Sequence, residues 1–173
     1  MKKIAIIGAG GTGKSTLAKE LGEILKLPVY HLDTLYWKSG WVRTPSEEWE
    51  KVIENLVSKN KWIIDGNYEK SLDIRLKQAD TVIFLDYPTY ISLFRFIKRY
   101  LKYRGKSRPD ISAGCEERLD LKFISWIINY RKNRRPDVLK KLNNIDKNKQ
   151  VHIITSPKKL REFLDALKSK PNL

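Results

Sequence analysis

The chain has 173 residues, of which 41% are hydrophobic and 32% charged, and these proportions predict one globular domain over 1–173. No apolar run approaches the roughly 20 residues that span a bilayer, so we expect no membrane partner. A single cysteine, Cys115, excludes an internal disulfide framework and indicates a reducing, cytoplasmic location.

The net charge of +15 is concentrated in the second half of the chain. Residues 1–94 hold 13 basic and 12 acidic residues, a net of +1, whereas residues 95–173 hold 22 and 8, a net of +14. The second half of the chain is therefore expected to bind an anionic partner. Nucleic acid, a polyphosphate nucleotide or an acidic membrane would each satisfy this expectation, and charge alone does not choose among them.

Hydrophobic periodicity and turn residues predict alternating strands and helices. In chain order they are a strand over 3–7, a helix over 14–26, a strand over 29–32, an aromatic loop over 33–43, a helix from 44 to about 57, a strand over 61–64, a short helix over 69–78, a strand over 81–85, a helix over 88–102, a loop over 103–115, a helix over 116–132, a short helix after 136, a strand over 151–154 and a final helix capped by Ser156.

This alternation predicts an α/β fold, a parallel sheet covered by helices on both faces. The helix over 88–102 is expected to bury Ile91, Phe94, Ile97 and Leu101. At the start of the helix from 44, Thr44 and Glu47 are expected to form a capping box. The irregular segment 103–115 is a candidate lid.

Residues 8–15 read GAGGTGKS and fit the pattern G-x-x-x-x-G-K-[ST] between a predicted strand and a predicted helix. Such glycines let backbone N–H groups point at phosphate oxygens, next to the positive N-terminus of the helix. We expect Lys14 to reach the β- and γ-phosphates and the Ser15 hydroxyl to bind Mg²⁺. The predicted nucleotide-binding residues are Gly8, Gly10, Gly11, Thr12, Gly13, Lys14, Ser15 and Thr16. The alternative is a glycine turn without a ligand.

Three aspartates follow predicted strands, where ligands bind in open α/β sheets. Asp65 is expected to hold Mg²⁺ or to orient an attacking hydroxyl, and Asp33 to contact the metal or the acceptor. Asp86 is the weakest of the three candidates. The alternative for each is an ordinary carboxylate in a turn after a strand.

Arginines supply candidates for stabilising the transferring phosphate, because guanidinium groups bind phosphate oxygens bidentately. Arg95 and Arg99 are four residues apart on one helix, and Arg108 lies in the candidate lid. The alternatives are a solvated basic surface and a nucleic-acid patch, and the cluster over 131–135 is left undecided.

The aromatic residues Trp37 and Trp41 could stack on a ring of the second substrate or cover the sheet. His31 and His152 fall in predicted strands and are expected to be packed rather than catalytic. Two histidines and one cysteine give no zinc-ligand spacing.

Four stretches in order along the chain carry a family resemblance. They are HLDTLYW (31–37), WIIDGNY (62–68), GKSRPD (105–110) and GCEER (114–118). They resemble the adenylate-kinase-like topology modulation proteins (FlaR), within the broader group of nucleoside monophosphate kinases and shikimate-kinase-like enzymes. The resemblance implies a P-loop NTPase fold with three α/β/α layers, five parallel strands in the order 2-3-1-4-5, a short lid and a mobile acceptor-binding segment over 33–58.

The resemblance also bears on single residues. Asp65-Gly66 resembles the Asp-Gly after the third strand of adenylate kinases, and Arg95 and Arg99 resemble arginines on their helix before the lid. Those kinases continue with Phe-Pro-Arg, whereas this chain has Asn-Tyr-Glu at 67–69. The acceptor contact then passes to Arg75, or the acceptor is not AMP.

Two functions follow from these observations. The first is a kinase that uses ATP and Mg²⁺ to phosphorylate a small molecule or nucleotide. The second is a nucleotide-binding regulator that contacts DNA through the basic half, although no DNA-reading motif supports it. The sequence does not decide between a monomer and a homodimer.

Overall fold

The structure is a computed structural model that describes residues 1–108 and 110–169. Pro109, inside the predicted lid, and residues 170–173, at the end of the predicted domain, lie outside the described residues. No helix in the described part of the chain is long and apolar enough to cross a bilayer.

The strands form a central sheet and a separate short hairpin. In chain order they are β1 (Lys3–Gly8), β2 (Val29–His31), β3 (Trp37–Lys38), β4 (Val42–Arg43), β5 (Trp62–Asp65), β6 (Thr81–Leu85) and β7 (Gln150–Ile154). The sheet is parallel and has the order β2-β5-β1-β6-β7, while β3 and β4 pair antiparallel. Counted without the hairpin, the sheet strands follow the order 2-3-1-4-5, which confirms the predicted fold.

Helices connect the strands and cover the sheet. They are α1 (Lys14–Leu25), α2 (Leu32–Tyr36), α3 (Ser46–Ser58), α4 (Leu72–Gln78), α5 (Thr89–Tyr103), α6 (Leu121–Asn133), α7 (Arg135–Asn143) and α8 (Pro157–Lys168), with 3-10 turns at Ser39–Trp41 and Glu69–Ser71. Ser156 caps α8 as predicted, because its Oγ accepts a hydrogen bond from the Lys159 N–H.

Alternating side chains of the strands build a core on each face of the sheet. Ile4 and Ile6 of β1 point to the face covered by α1 and α8, where they meet Leu17. Ala5 and Ile7 point to the opposite face, which is covered by α3, α4, α6 and α7. All of these side chains have at most 1% of their surface exposed, so the three-layer α/β/α architecture follows from burial on both faces.

Helix α5 differs from its prediction in which residues it buries. Its buried side chains are Ser92 and Phe96, while Phe94 is 67% exposed and Leu101 68% exposed. The predicted burial of Phe94, Ile97 and Leu101 is therefore wrong. The helix turns a small residue inward because the glycine loop after β1 packs directly against it.

Two helix starts also differ from their predictions. Helix α6 begins at Leu121 and not near Glu116, because Glu116 and Glu117 pair with the chain before them and Asp120 then caps the helix. The predicted capping box of α3 is absent from the described contacts of Thr44. Its hydroxyl donates instead to the carbonyl of Tyr36, at 2.7 Å.

Candidate active site

The glycine loop between β1 and α1 packs tightly against α5 and α6. Gly11 has a φ of 79°, and a Cβ there would lie 2.2 Å from the carbonyl oxygen of Ser92. A Cβ at Gly10 would lie 2.5 Å from the ring of Phe123, and Gly8 ends β1 beside β6. Larger residues would push the loop away from these neighbours, so its curled path depends on glycine.

Hydrogen bonds inside the loop set its shape. The hydroxyl of Thr12 donates to the carbonyl of Ala9 at 2.9 Å, and the Lys14 ammonium donates to the same oxygen at 2.8 Å. Within residues 1–108 and 110–169, the backbone N–H groups of Gly13, Lys14 and Ser15 have no acceptor. These N–H groups at the start of α1 are the donors that an anion at a helix N-terminus uses.

Two carboxylates face the ammonium group of Lys14. Burial lowers the pKa of Lys14, while the charges of Asp33 and Asp65 oppose this shift. A buried ammonium gains stability from further negative charge, which a triphosphate provides. Thr16, the last predicted nucleotide-binding residue, is exposed on the first turn of α1.

Asp65 joins the glycine loop to the end of β2. Its Oδ2 accepts a hydrogen bond from Ser15 Oγ at 2.8 Å, and its Oδ1 lies 2.5 Å from Nδ1 of His31. Sheet register produces this cluster, because His31 pairs with Asp65 across β2 and β5. Burial acts to lower the pKa of His31, but the hydrogen bond and charge of Asp65 outweigh it and raise this pKa.

The oxygen atoms at this edge of the sheet fit Mg²⁺ bound together with a nucleotide. In the described residues, no group of three or more His, Cys, Asp or Glu side chains could hold a metal ion by itself. Mg²⁺ at phosphate-transfer sites needs no such cage, since one or two carboxylates, a hydroxyl, water and phosphate oxygens complete its shell. Ser15 and Asp65, 2.8 Å apart, offer a hydroxyl and a carboxylate for that purpose.

Asp33 lies on the first turn of α2, beside the same cluster. Its Oδ1 accepts a hydrogen bond from the Tyr68 hydroxyl at 2.8 Å, and its charge acts on Lys14. Burial and the nearby Asp33 carboxylate raise the pKa of Tyr68 above its ordinary value, so Tyr68 keeps its proton and remains a donor.

The structure corrects the role predicted for Arg75. This side chain is fully buried, and its guanidinium donates to the carbonyls of Gly66, Tyr68 and Ser71 at 2.9, 3.0 and 3.2 Å. Burial lowers the pKa of Arg75 to about 10, although the charge of Asp65 opposes this. These bonds commit the guanidinium group to holding the chain after β5.

The predicted phosphate-binding arginines surround the glycine loop. Arg95 Nη1 donates to the carbonyl of Thr12 at 3.0 Å, and its guanidinium lies 5.3 Å from the ring centroid of Tyr87. The charges of Arg99 and Arg108 both act to lower the pKa of Lys14, so they lie near its ammonium group. The fold therefore brings all three arginines to the loop.

Arg99 and Arg108 share a buried carboxylate, Glu117. Arg99 Nε and Nη2 lie 3.0 and 2.9 Å from Oε1 of Glu117, and Arg108 Nε lies 2.7 Å from Oε2. Arg108 Nη1 also donates to Asp110 at 3.1 Å. Burial acts to raise the pKa of Asp110, but the charge of Arg108 outweighs burial and holds this pKa below its ordinary value.

Trp37 and Trp41 belong to the hairpin of β3 and β4. Their ring centroids are 5.4 Å apart, and Arg118 lies 5.2 Å from the ring centroid of Trp41. The indole N–H of Trp41 donates to the carbonyl of Glu116 at 3.0 Å. Both rings therefore face protein neighbours, and one edge of Trp41 is held by the connection between α5 and α6.

That connection contacts the predicted acceptor-binding segment at several further points. The N–H of Gly40 donates to the carbonyl of Gly114 at 3.1 Å, and the hydroxyl of Ser112 donates to the carbonyl of Thr34 at 2.6 Å. The thiol of Cys115 lies 3.3 Å from the carbonyl of Lys38. The candidate lid thus rests on the candidate acceptor segment.

Part of the basic cluster over 131–135 has an internal carboxylate partner. Arg135 forms a bidentate pair with Asp86, at 2.8 and 2.9 Å, and Arg131 lies 3.1 Å from the same side chain. Arg134 pairs with Glu69 at 2.7 Å. Asp86 thus holds Arg131 and Arg135 at the end of β6.

Sequence reasoning missed two residues of this site, His31 and Glu117. His31 had one usable signal, because it lies in the predicted strand over 29–32, which the predicted order places next to the strand that Asp65 follows. Glu117 lies in the GCEER stretch (114–118), but its role was not predicted, since it was assigned to a helix and its partners are 18 and 9 residues away in sequence.

Solved structures with a similar fold are small-molecule P-loop kinases. Shikimate kinase from Acinetobacter baumannii matches with a TM-score of 0.60 at 19% identity, over 96% of this chain and 90% of that one. A gluconokinase from Sinorhizobium meliloti 1021 matches with a TM-score of 0.57 at 16% identity, over 96% and 91%. At these identities the likeness establishes the P-loop kinase fold alone.

A comparison with protein-family models finds no match. Among curated proteins, the uncharacterized protein YqaC of Bacillus subtilis (strain 168) is 31% identical over 133 residues, which are 75% of this chain and 72% of the relative. This chain therefore belongs to the same protein family as YqaC of Bacillus subtilis.

Proposed function

We propose that this protein is a phosphotransferase that uses ATP and Mg²⁺ to phosphorylate a small-molecule or nucleotide acceptor. The observation that carries the proposal is the hydrogen bond of 2.8 Å between Ser15 Oγ and Asp65, at a helix start whose N–H groups lack acceptors in the described chain. These two features lie side by side, which supports a phosphate-binding loop next to a metal-binding pair. The finer resemblance to topology modulation proteins stays a prediction.

The loop would bind the donor through backbone N–H groups and the Lys14 ammonium. The Lys14 bond to Ala9, 2.8 Å long, uses one of three N–H donors and leaves two for phosphate oxygens. Mg²⁺, held by Ser15 and Asp65, would supply charge that neutralises the β- and γ-phosphates.

Transfer requires an oxygen of the acceptor to approach the γ-phosphorus opposite the β,γ-bridging oxygen. The new bond joins the acceptor oxygen to phosphorus, the bond to the bridging oxygen breaks, and its electron pair stays on ADP. Asp33 offers a carboxylate for the proton of an acceptor hydroxyl, with Oδ1 held by Tyr68 and Oδ2 uncommitted among the described contacts. Arg95, Arg99 and Arg108 would stabilise the charge on the transferring group.

The acceptor would lie between Asp33 and the hairpin of Trp37 and Trp41. The connection before α6 contacts Trp41 of this hairpin and Thr34 of α2, which supports a closed arrangement that would exclude water from the reacting groups. Arg75 is not part of this acceptor site, because its guanidinium is committed to three carbonyls.

The DNA-binding alternative has less support from the contacts of the basic half. Arg131 and Arg135 pair with Asp86, and Arg134 pairs with Glu69. These carboxylates offset part of the charge that a DNA phosphate would otherwise meet. Titration with duplex DNA at low salt tests this alternative directly, since phosphate contacts weaken steeply with salt.

The test of the kinase proposal is a panel of hydroxyl compounds and nucleotides incubated with ATP and Mg²⁺, with ADP formation as the readout. Wild-type protein should phosphorylate at least one acceptor, and Lys14→Ala should lower that rate by roughly a hundredfold or more, as loss of one transition-state contact does. Lys19→Ala is the matched control, because Lys19 is exposed on the same helix.

Equal loss in both lysine variants would contradict the assigned role of the loop. Calorimetry with ATP and Mg²⁺ should show binding to wild type without any acceptor. Absence of nucleotide binding would refute the proposal whatever the acceptor panel yields.

A further inference from the structure

Glu117 is a buried carboxylate in the GCEER stretch (114–118), to which the family resemblance gives no role. Its side chain is 4% exposed, and each of its oxygens contacts a different arginine. Arg99 comes from α5 and Arg108 from the connection between α5 and α6, so one side chain links two elements beside the glycine loop. Burying a charged carboxylate costs desolvation free energy, and the two ion pairs with arginine offset that cost.

The backbone fixes the position of this carboxylate from two directions. The N–H of Glu117 donates to the carbonyl of Lys106 at 3.0 Å, within the bridges that join Arg104 to Glu117 and Ser107 to Glu116. On the other side, Trp41 donates to the carbonyl of Glu116 at 3.0 Å. Hydrogen bonds to two separate segments thus fix the backbone at residues 116 and 117.

Like charges make such an anchor necessary. Besides burial, the charges of Arg99 and Arg108 act to lower the pKa of Lys14, and burial and the charge of Arg108 lower the pKa of Arg99. Three cations around one phosphate position repel each other before a nucleotide binds. The carboxylate of Glu117 offsets this repulsion and keeps both guanidinium groups in place.

Each arginine keeps donors for a ligand. Glu117 accepts a hydrogen bond from Arg99 Nε and forms ion pairs with Arg99 Nη2 and with Arg108 Nε, the latter at 2.7 Å without hydrogen-bond geometry. Asp110 accepts a hydrogen bond from Nη1 of Arg108. Within residues 1–108 and 110–169, Nη1 of Arg99 and Nη2 of Arg108 have no hydrogen-bond partner. The free Nη atom of each guanidinium group can donate a hydrogen bond to a terminal phosphate oxygen.

We infer that Glu117 is a positioning residue that holds Arg99 and Arg108 for the γ-phosphate of the donor. This inference rests on the proposed function, because it needs a triphosphate on the glycine loop. Replacing Glu117 should then change the ratio of ATP affinity to ADP affinity, which replacing a purely structural carboxylate would leave unchanged. The advantage of ATP over ADP in affinity depends on Glu117, whereas affinity for ADP does not.

The experiment measures dissociation constants for ATP and ADP, each with Mg²⁺, by calorimetry on the full chain. Glu117→Ala should reduce the ratio of ATP to ADP affinity by roughly tenfold or more, the scale of one charge-assisted hydrogen bond. Affinity for ADP should change less than about threefold. Glu117→Gln should lie between, because its amide oxygen still accepts from one arginine.

Glu116→Gln is the matched control, because Glu116 is the neighbouring glutamate and its side chain is exposed. It should retain the wild-type ratio. In an Arg99→Ala background, Glu117→Gln should have a smaller effect than alone, since coupled residues are not additive. Glu117→Gln preserves side-chain volume, so it serves the test if Glu117→Ala does not fold.

An unchanged ratio in folded Glu117→Gln and Glu117→Ala would overturn the inference and leave the proposed function intact. A raised ratio would also overturn it, since Glu117 would then hold the arginines away from phosphate. If wild type binds neither nucleotide, the proposed function itself fails and the inference falls with it.

Discussion

Replacing Arg75 by methionine distinguishes a structural arginine from an acceptor-binding one. The guanidinium donates to three carbonyls at 2.9–3.2 Å and has no exposed surface. Hydrogen bonds from a charged donor each contribute about 1.5–3 kcal/mol to the unfolding free energy, so three contribute roughly 4.5–9 kcal/mol before the desolvation cost is subtracted. Methionine no longer carries the desolvation cost of a buried charge, so we expect Arg75→Met to lower the unfolding free energy by about 3–5 kcal/mol.

Urea denaturation followed by circular dichroism measures this loss. With a slope of about 2 kcal/mol per molar urea, the midpoint should fall by roughly 1.5–2.5 M. Arg134→Met is the control, since its pair with Glu69 is half exposed and should be worth less than about 1 kcal/mol. The reasoning is refuted if Arg75→Met has wild-type stability and instead raises the acceptor KM.

Three further predictions concern other parts of the chain. Burial acts to raise the pKa of Asp80, but hydrogen bonds from two backbone N–H groups and a hydroxyl hold it below its ordinary value. Its stabilisation, about 1 kcal/mol after allowance for solvent screening, is therefore present at neutral pH and lost as pH falls below about 4 through the folded-state pKa. The stability difference between wild type and Asp80→Asn, measured by urea titration, should close over that range, and a constant gap would contradict the assignment. Gly11→Ala should abolish ATP binding in calorimetry and lower the Tm, because the new Cβ would lie 2.2 Å from the Ser92 carbonyl; normal binding would mean that the loop tolerates a different path. Trp41→Phe removes the N–H that bonds to Glu116 and should raise hydrogen exchange at residues 110–118 severalfold with a stability loss below about 1 kcal/mol, whereas unchanged exchange would mean that this bond does not hold the segment.

The sheet and its nucleotide loop were predictable because their signals are local. Strand β6 was predicted with the bounds that it has, 81–85, since a continuous β-branched and aromatic run must be buried on both faces. The pattern at 8–15 fits one backbone geometry, so eight residues were enough to predict the loop. Alternation of strands and helices then predicted a parallel sheet.

Contacts between distant segments were not predictable in the same way. Helix α5 has apolar residues on more than one side. The face that it buries is the one that carries the small residue Ser92, because Gly11 packs closely against it. The sequence leaves Arg75 available for a ligand, whereas in the structure its guanidinium group donates to three carbonyls of the chain before it.

By itself the sequence determined the fold class, the strand order that the family resemblance implies and the position of the phosphate-binding loop. Only the tertiary structure decided that His31 and Ser15 share Asp65, and that Glu117 joins Arg99 to Arg108. The physical reason is the range of the interactions. Strand and loop geometry follow from neighbouring residues, whereas a buried charge finds its partner only after packing has brought separate elements together.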